Sequence, residues 1–396
     1  KIFPRTPSDL IPPAAMPGPS PSTPFSPATG EEAAEAIRSW SRERKTIRVA
    51  GGGTKAGFLP PADVVLHTER LSGIKAYALE DLYVTVGAGT RLADLQSELA
   101  QHKMWVALAS PWSAATVGGI VSANLNAPLR MRYGGIRDLV LAASVVLPDG
   151  RSIRSGRPVV KNVAGYDLTK LFVGAHGSLG LLIDVSFKLA PLPRARASLV
   201  VPAESLSDAL ASGASLLRVS LVATALLLCQ GDLFPALSSP YALVYTVEGL
   251  PGDVAAELAQ ARAVLQAKGV TRLIDAGATS GSDIWADWLA RVSTPGDVVV
   301  RTGVAPKDLP GLVADQAPGM GNAAFLADLA NGMLYSAGIP EAAIRSAALA
   351  SGGYAVVLSG ASTDPWGYAP ASLDLMRTLK ARWDEHGLFN PGAFIV

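Results

Sequence analysis

Three consecutive glycines stand directly behind a short apolar strand in VAGGGTKAG, residues 49–57, and no other stretch restricts the fold so closely. A mononucleotide loop needs GxxxxGK[ST], whereas Lys55 here follows Thr54 with no glycine at that spacing. The dinucleotide pattern GxGxxG fails too, because Ala56 stands where the third glycine belongs. What survives is physical: residues without Cβ atoms let backbone N–H groups close on an anion and tolerate positive φ. A tight turn and an anion-binding loop both fit.

The chain has 396 residues, 49% of them hydrophobic, enough for a large core divided between domains. Charged residues are scarce at 17%, and 34 Lys+Arg against 33 Asp+Glu leave a net charge of +1. No global field therefore favours nucleic acid or an anionic membrane. The single cysteine, Cys229, lies in LVATALLLCQ, which excludes an intrachain disulfide framework and a cluster ligated by cysteines of this chain alone. It reads as a core thiol. The four histidines, His67, His102, His176 and His386, show no local metal-ligand spacing, so no metal is expected. The uncharged run from Val219 to Cys229 is shorter than the roughly 20 residues that cross a bilayer.

Nine prolines fall within the first 27 residues, a composition that keeps a segment extended. Residues 1–29 are expected to form an arm over the first domain, either the remnant of a processed targeting peptide or an engineered boundary. Thr29 and Glu32 form a capping box before a helix starting at about residue 30 with Ala33, Ile37 and Trp40 on one face. Strands are expected at 46–49, 63–66 and 82–86, then a helix with Thr90 as N-cap and Leu92, Leu95 and Leu99 on one face. This alternation predicts a small, partly parallel α/β unit. From Trp112 glycine-rich turns and strands are expected, with a hairpin over 139–154 closed by Pro148, Asp149 and Gly150, and another strand at 181–189. Pro191 and Pro193 mark a boundary. Residues 194–360 alternate short strands with helices predicted at 251–267 and 320–335, the pattern of a ferredoxin-like α+β sandwich. A last helix carries Leu373, Met376, Leu379 and Trp383 in one stripe, ahead of HGLFNPGAFIV.

Five ordered stretches resemble one family: GGGTK at 51–55, SPWSAATVGGIVSANLNAP at 110–128, RYGGIRDLVL at 132–141, KNVAGYDLTKLFVGAHGSLGLLI at 161–183 and GLFNPG at 387–392. They look like the FAD-binding domain of the vanillyl-alcohol oxidase and cresol methylhydroxylase superfamily, most of all the FAD-binding subunit of bacterial-type glycolate oxidase. The resemblance implies an α+β protein: a two-subdomain FAD-binding domain over 30–193, a ferredoxin-like cap over 194–360 and a return to the first domain over 361–396. It implies that Gly51, Gly52, Gly53, Thr54 and Lys55 approach the FAD pyrophosphate from one side. Ser110, Pro111, Thr116, Val117, Gly118, Gly119, Ser122 and Asn124 complete the other. Gly165, Tyr166 and Asp167 pass near the cofactor, and Gly177, Gly180 and Ile183 meet the adenine end. Lys161 and Asn162 reach either a flavin phosphate or the sheet, and Arg137 and Asp138 read as a structural pair. Relatives that bind flavin covalently use a histidine or cysteine, and neither occurs in 51–57 or 110–128, so noncovalent FAD is expected.

Relatives that oxidise 2-hydroxy acids carry cap histidines and a carboxylate-binding arginine. Residues 194–360 contain no histidine, and Arg301 in VVVRTG is the candidate clamp. The resemblance then implies a flavin subunit of a glycolate dehydrogenase, with a larger homologous flavin subunit, an iron–sulfur subunit and a small 2-hydroxy acid substrate. Its expected place is the cytoplasm, or the inner face of the cytoplasmic membrane through partners. A self-sufficient D-2-hydroxy acid dehydrogenase and a flavin-bearing subunit without a substrate site remain the alternatives.

Overall fold

A computed structural model of the protein describes residues 23–54, 61–157, 167–230, 237, 239–293, 298–320 and 324–395. In chain order the first elements are β1 (Thr23–Phe25), α1 (Gly30–Arg42), β2 (Ile47–Ala50), β3 (Val64–His67), β4 (Ile74–Ala78), β5 (Tyr83–Gly87), α2 (Leu92–Ala100), β6 (Met104–Trp105), α3 (Val117–Ala123) and α4 (Arg130–Tyr133). Then come α5 (Ile136–Leu139), β7 (Val140–Val146), β8 (Ser152–Gly156), α6 (Thr169–Phe172), β9 (Leu181–Lys188) and β10 (Ala190–Pro191). Next are β11 (Ala195–Ala203), α7 (Leu206–Leu217), β12 (Ala223–Gln230), β13 (Tyr241–Gly249), α8 (Pro251–Ala267), β14 (Ile274–Asp275) and α9 (Gly281–Val292). Last are β15 (Val299–Gly303), α10 (Leu309–Met320), β16 (Phe325–Asp328), β17 (Met333–Ala337), α11 (Glu341–Ala350), β18 (Tyr354–Ser359) and α12 (Leu373–Trp383). The described residues divide into a split unit, 23–126 with 134–192 and 369–395, and a middle unit, 193–368 with 127–133.

The split unit holds a parallel sheet in the order β1-β3-β2 and an antiparallel sheet in the order β4-β5-β9-β7-β8. Ala33, Ala34 and Ile37 of α1 form one cluster with Ile47, Leu66, Val146, Leu181 and Phe389, so elements far apart in sequence share this core. Thr29 caps α1 as expected, accepting from the Glu32 amide, while the Glu32 carboxylate reaches back to the Ala28 amide. Thr90 is not the N-cap of α2. Arg91 holds that position without a side-chain cap, because the Thr90 hydroxyl is committed to the Gly87 carbonyl at 2.7 Å and the Gly73 amide at 2.9 Å. TVGGIVSAN, expected as turn and strand, forms α3, with Thr116 accepting from Gly119 N and Asn124 closing it at φ +47°. Arg137 and Asp138 do not pair: Arg137 donates to the Lys170 carbonyl, and Asp138 accepts from the Gly135 amide at 2.8 Å. The β7–β8 hairpin forms as expected. The C-terminal segment adds itself to the parallel sheet, with Ile47 N donating to Leu388 O and Asn390 N donating to Ile47 O, both at 2.8 Å.

The middle unit is one eight-stranded sheet in the order β14-β11-β13-β12-β16-β17-β15-β18. Its chain order is β-α-β-β-α-β twice, over β11–β14 and again over β15–β18, and each half has the ferredoxin-like strand order 4-1-3-2. The halves are mirrored in the sheet and join where β12 and β16 pair antiparallel, Leu228 opposite Ala327 and Cys229 opposite Leu326. Its large core draws on both halves, with Leu226, Leu243 and Leu265 from one and Phe325, Leu334 and Ile344 from the other. The helix expected over 320–335 is instead the end of α10 and the β16–β17 hairpin. Asn331 and Gly332, the latter at φ +70°, turn that hairpin, and Asp328 holds it by accepting from Asn331 N and Nδ2. Residues 127–133 belong to this unit as well. Arg132 donates to the Val222 and Glu248 carbonyls and the Asn331 amide group donates to Pro128 O.

Candidate functional site

A small open cleft lies in the split unit. Val49 and Gly51 form one wall, Ala88, Gly118, Gly119 and Ser122 another, and Thr68, His176, Gly177, Gly180, Leu181, Leu182 and Asn390 complete it. The glycine run enters from the end of β2, and no described residue accepts from the amides of Gly51, Gly52 and Gly53.

Steric demand explains why glycine stands where it does. A Cβ on Gly51 would lie 2.5 Å from Thr116 Oγ1, and one on Gly52 would run into the Ala114 carbonyl, so the first loop lies directly on the segment that starts α3. Gly118 approaches Ala88 so closely that a Cβ there would stand 2.7 Å from the alanine methyl. Its amide donates to Ala88 O at 2.8 Å. Gly119 differs: it is exposed, helical, and would place a Cβ near nothing but Thr116 Oγ1 at 3.1 Å. The space beside it is therefore the cleft itself. Gly177, at φ +71°, lies against Asn390, and Gly180, at φ +153°, against the Val146 carbonyl.

Of the residues expected at the cofactor, Gly51, Gly118, Gly119, Ser122, Gly177 and Gly180 come together on the cleft. Gly52, Gly53, Thr54, Thr116 and Val117 adjoin it in sequence, Thr116 as the N-cap and Val117 as the fully buried first residue of α3. Ser110 and Pro111 lie outside the lining, where the Ser110 hydroxyl accepts from Trp112 N. Asn124 closes α3 and accepts from Asn126 Nδ2 at 2.9 Å. Asp167 is exposed and pairs with Lys170 at 3.5 Å. Ile183 sits in β9, its carbonyl accepting from Ala88 N and its side chain packed on Gly30, while Leu181 and Leu182 line the cleft instead. Lys55, Lys161, Asn162, Gly165 and Tyr166 lie outside the described residues.

Sequence reasoning missed Thr68, His176 and Asn390. The signal for Asn390 was present in GLFNPG, a short polar residue before proline at the end of an otherwise apolar segment. His176 and Asn390 both have positive φ, +51° and +42°, a conformation uncommon outside glycine in which asparagine, aspartate and histidine are enriched. The His176 ring stacks on Phe394 with centroids 5.6 Å apart and an interplanar angle of 11°.

In the middle unit Arg301 lies on β15 opposite Tyr335, with its guanidinium 6.0 Å from the centre of the Tyr354 ring, which stacks on Tyr368. Burial raises the Tyr335 hydroxyl far above the usual phenol range and also raises Tyr368. Cys229 is 2% exposed and burial pushes its thiol up, as suits a core residue. The described residues contain no group of carboxylates, histidines and cysteines able to hold a metal ion.

Residues 21–156 match a family model described as an FAD binding domain. The chain is 31% identical over 190 residues to a D-lactate dehydrogenase of Anaerostipes hadrus, covering 47% of this chain and 40% of that protein. It is 36% identical over 159 residues to the glycolate oxidase subunit GlcE of Escherichia coli, covering 39% and 45%. The matched segment spans less than half the length of these curated relatives. Among solved structures, p-cresol methylhydroxylase with substrate bound superposes with a TM-score of 0.74 at 14% identity, over 93% of this chain and 76% of that one. The protein thus has the α+β fold of the cresol-methylhydroxylase type and carries an FAD-binding domain homologous to those of flavin-dependent oxidoreductases. Five glycines on the lining of the cleft, Gly51, Gly118, Gly119, Gly177 and Gly180, present backbone there, and Gly119 has open space beside it, which suits the diphosphate of the cofactor.

Proposed function

We propose that the chain is the FAD-bearing subunit of a glycolate dehydrogenase, acting with a larger homologous flavin subunit and an iron–sulfur subunit to oxidise glycolate to glyoxylate. The observations that carry this reading are the glycine-walled cleft of the split unit and, in the sequence, the absence of histidine from residues 194–360. The likeness to a protein described as a glycolate oxidase subunit supports the assembly. Such a complex would hold the chain in the cytoplasm or at the inner face of the membrane through its partners. No described helix is long and apolar enough to cross a membrane.

Oxidising a 2-hydroxy acid removes two electrons and two protons, and FAD supplies the electron acceptor when bound. The chain's own part is to hold it. Gly51, Gly52 and Gly53 offer backbone N–H groups to its diphosphate, Gly119 leaves room for it, and the Leu181–Leu182 wall excludes water from one side. Binding is noncovalent in this reading. Taking the hydroxyl proton calls for a positioned base, worth about a hundredfold to ten-thousandfold. We assign that base to the partner subunit.

A second reading rests on Arg301, which stands among Tyr335 and Tyr354 as a carboxylate clamp would. On that reading the chain oxidises its own D-2-hydroxy acid. Coexpression with a candidate larger flavin subunit and a candidate cysteine-rich cluster subunit decides between them. The first reading predicts one complex surviving gel filtration in moderate salt, with activity found only in that peak. A monodisperse monomer that alone oxidises glycolate or D-lactate, and loses this with Arg301→Ala, establishes the second.

A further inference from the structure

The C-terminal segment enters the flavin cleft from some 340 residues beyond the first glycine loop, and one side chain ties it to both neighbouring walls. Asn390 is 4% exposed. Its Oδ1 accepts from Val49 N at 2.6 Å, on the strand that delivers Gly51. Its Nδ2 donates to the His176 carbonyl at 2.9 Å, in the turn that delivers Gly177 and Gly180. The same turn is fixed from α3 by His176 N donating to Ser122 O at 2.9 Å. Gly177 must be glycine here, because a Cβ would strike Asn390 Nδ2 and φ is +71°. Val49, Ser122, His176, Gly177 and Asn390 all line the cleft.

A second polar bracket holds Asn390 in place. Lys380 Nζ donates to Ser178 O at 2.8 Å and to Phe389 O at 2.9 Å, and pairs with Asp384 at 2.5 Å. Asp384 in turn accepts from the amides of Leu388 and Phe389. The segment is therefore locked to the 176–180 turn on both sides of Asn390.

We propose that Asn390 is the positioning residue of the FAD cleft: by bonding Val49 and His176 at once it fixes the separation of the β2 wall from the 176–180 wall, and so sets cofactor affinity. This rests on the FAD reading of the cleft. Asparagine suits the position because one side chain must accept at one end and donate at the other, with the backbone at φ +42°. Aspartate has the same shape and tolerates the same backbone, but when ionised it turns an acceptor toward the His176 carbonyl. Protonated, it donates there again. The charged groups on the elements around it are Lys380 and Asp384 from the C-terminal side, His176 from the turn and Arg48 from β2, while α3 contributes none.

The test is FAD titration of apo wild type, Asn390→Asp and Asn390→Ala by flavin fluorescence at several pH values, with apo melting temperatures measured in parallel. Losing one partner of a buried hydrogen bond predicts at least about tenfold weaker FAD binding for Asn390→Ala. Asn390→Asp is expected to bind weakly at pH 8 and to regain affinity toward pH 5 more steeply than wild type, by more than the accompanying rise in apo melting temperature accounts for. Affinities of both variants within twofold of wild type at every pH overturn the proposal, as does a loss that only tracks apo stability. Should Asn390→Ala not fold, the aspartate variant's pH profile decides alone. Wild type that binds no FAD overturns the cofactor reading itself, a distinct outcome.

Discussion

The split unit and the middle unit reach order by opposite means. In the split unit the cleft is assembled from β2, α3, the 176–180 turn and the chain end, and the fit depends on single atoms: a missing Cβ at Gly52, a carbonyl at Ala114, an amide group at Asn390. In the middle unit the order is collective. Two β-α-β-β-α-β halves share one sheet and one core, and its buried polar groups, such as Glu257 accepting from Leu221 N, Val222 N and the Tyr245 hydroxyl, secure the frame. The lesson is that substitutions in the first unit should be read in ligand affinity, and those in the second in stability.

Gly52→Val breaks that contrast most severely if it fails. Its Cβ would run into the Ala114 carbonyl, so FAD retention should vanish, checked by the flavin absorbance of the purified protein. Gly119→Val should also lose flavin while the apo protein keeps its melting temperature, since its backbone is helical and its Cβ meets only Thr116. Glu257→Ala should do the reverse. Leaving the Leu221 and Val222 amides without their acceptor, and the Tyr245 hydroxyl with Ser220 alone, predicts a stability loss of about 1–3 kcal/mol by denaturant unfolding, with FAD affinity unchanged.

How much of this was legible in the sequence follows the same division. Glycines that permit close approach leave a local spelling, and Gly51, Gly118, Gly119, Gly177 and Gly180, singled out through the resemblance, do come together on one cleft. The Asn390 bracket is not, because its partners Val49 and His176 are 341 and 214 residues away. The ferredoxin-like alternation was readable from strand and helix periods. Its mirrored duplication was hidden, because MGNAAFLADLANGMLY was assigned to a helix although Asn331 and Gly332 spell a hairpin turn. Thr90 misled for a related reason: a threonine before an apolar stripe caps a helix only when its hydroxyl is not claimed by a neighbouring strand.

The pH dependence of the two units should differ as well. Burial pushes the Asp328 carboxyl up to about 7, against the hydrogen bonds from Asn331 that favour its ionised form. The folded middle unit therefore holds a proton that the unfolded chain releases near pH 4. Stability from this group is fully present below about pH 4 and is lost as pH rises toward 7, by an amount on the order of a few kcal/mol. Asp328→Asn should flatten that slope in unfolding experiments between pH 4 and 7. The smallest effect belongs to Gly311→Ala in α10, where a Cβ meets nothing within 4 Å. A gain of about 0.5–1 kcal/mol is expected there.

The most direct measurement is anaerobic mixing of the FAD-loaded chain with glycolate and with D-lactate, following the oxidised flavin band, beside the same experiment on the assembled complex. A flavin subunit that depends on its partner for the base predicts that the isolated chain keeps its colour while the complex bleaches and turns over with an artificial electron acceptor. Bleaching of the isolated chain as fast as the complex turns over would contradict that account.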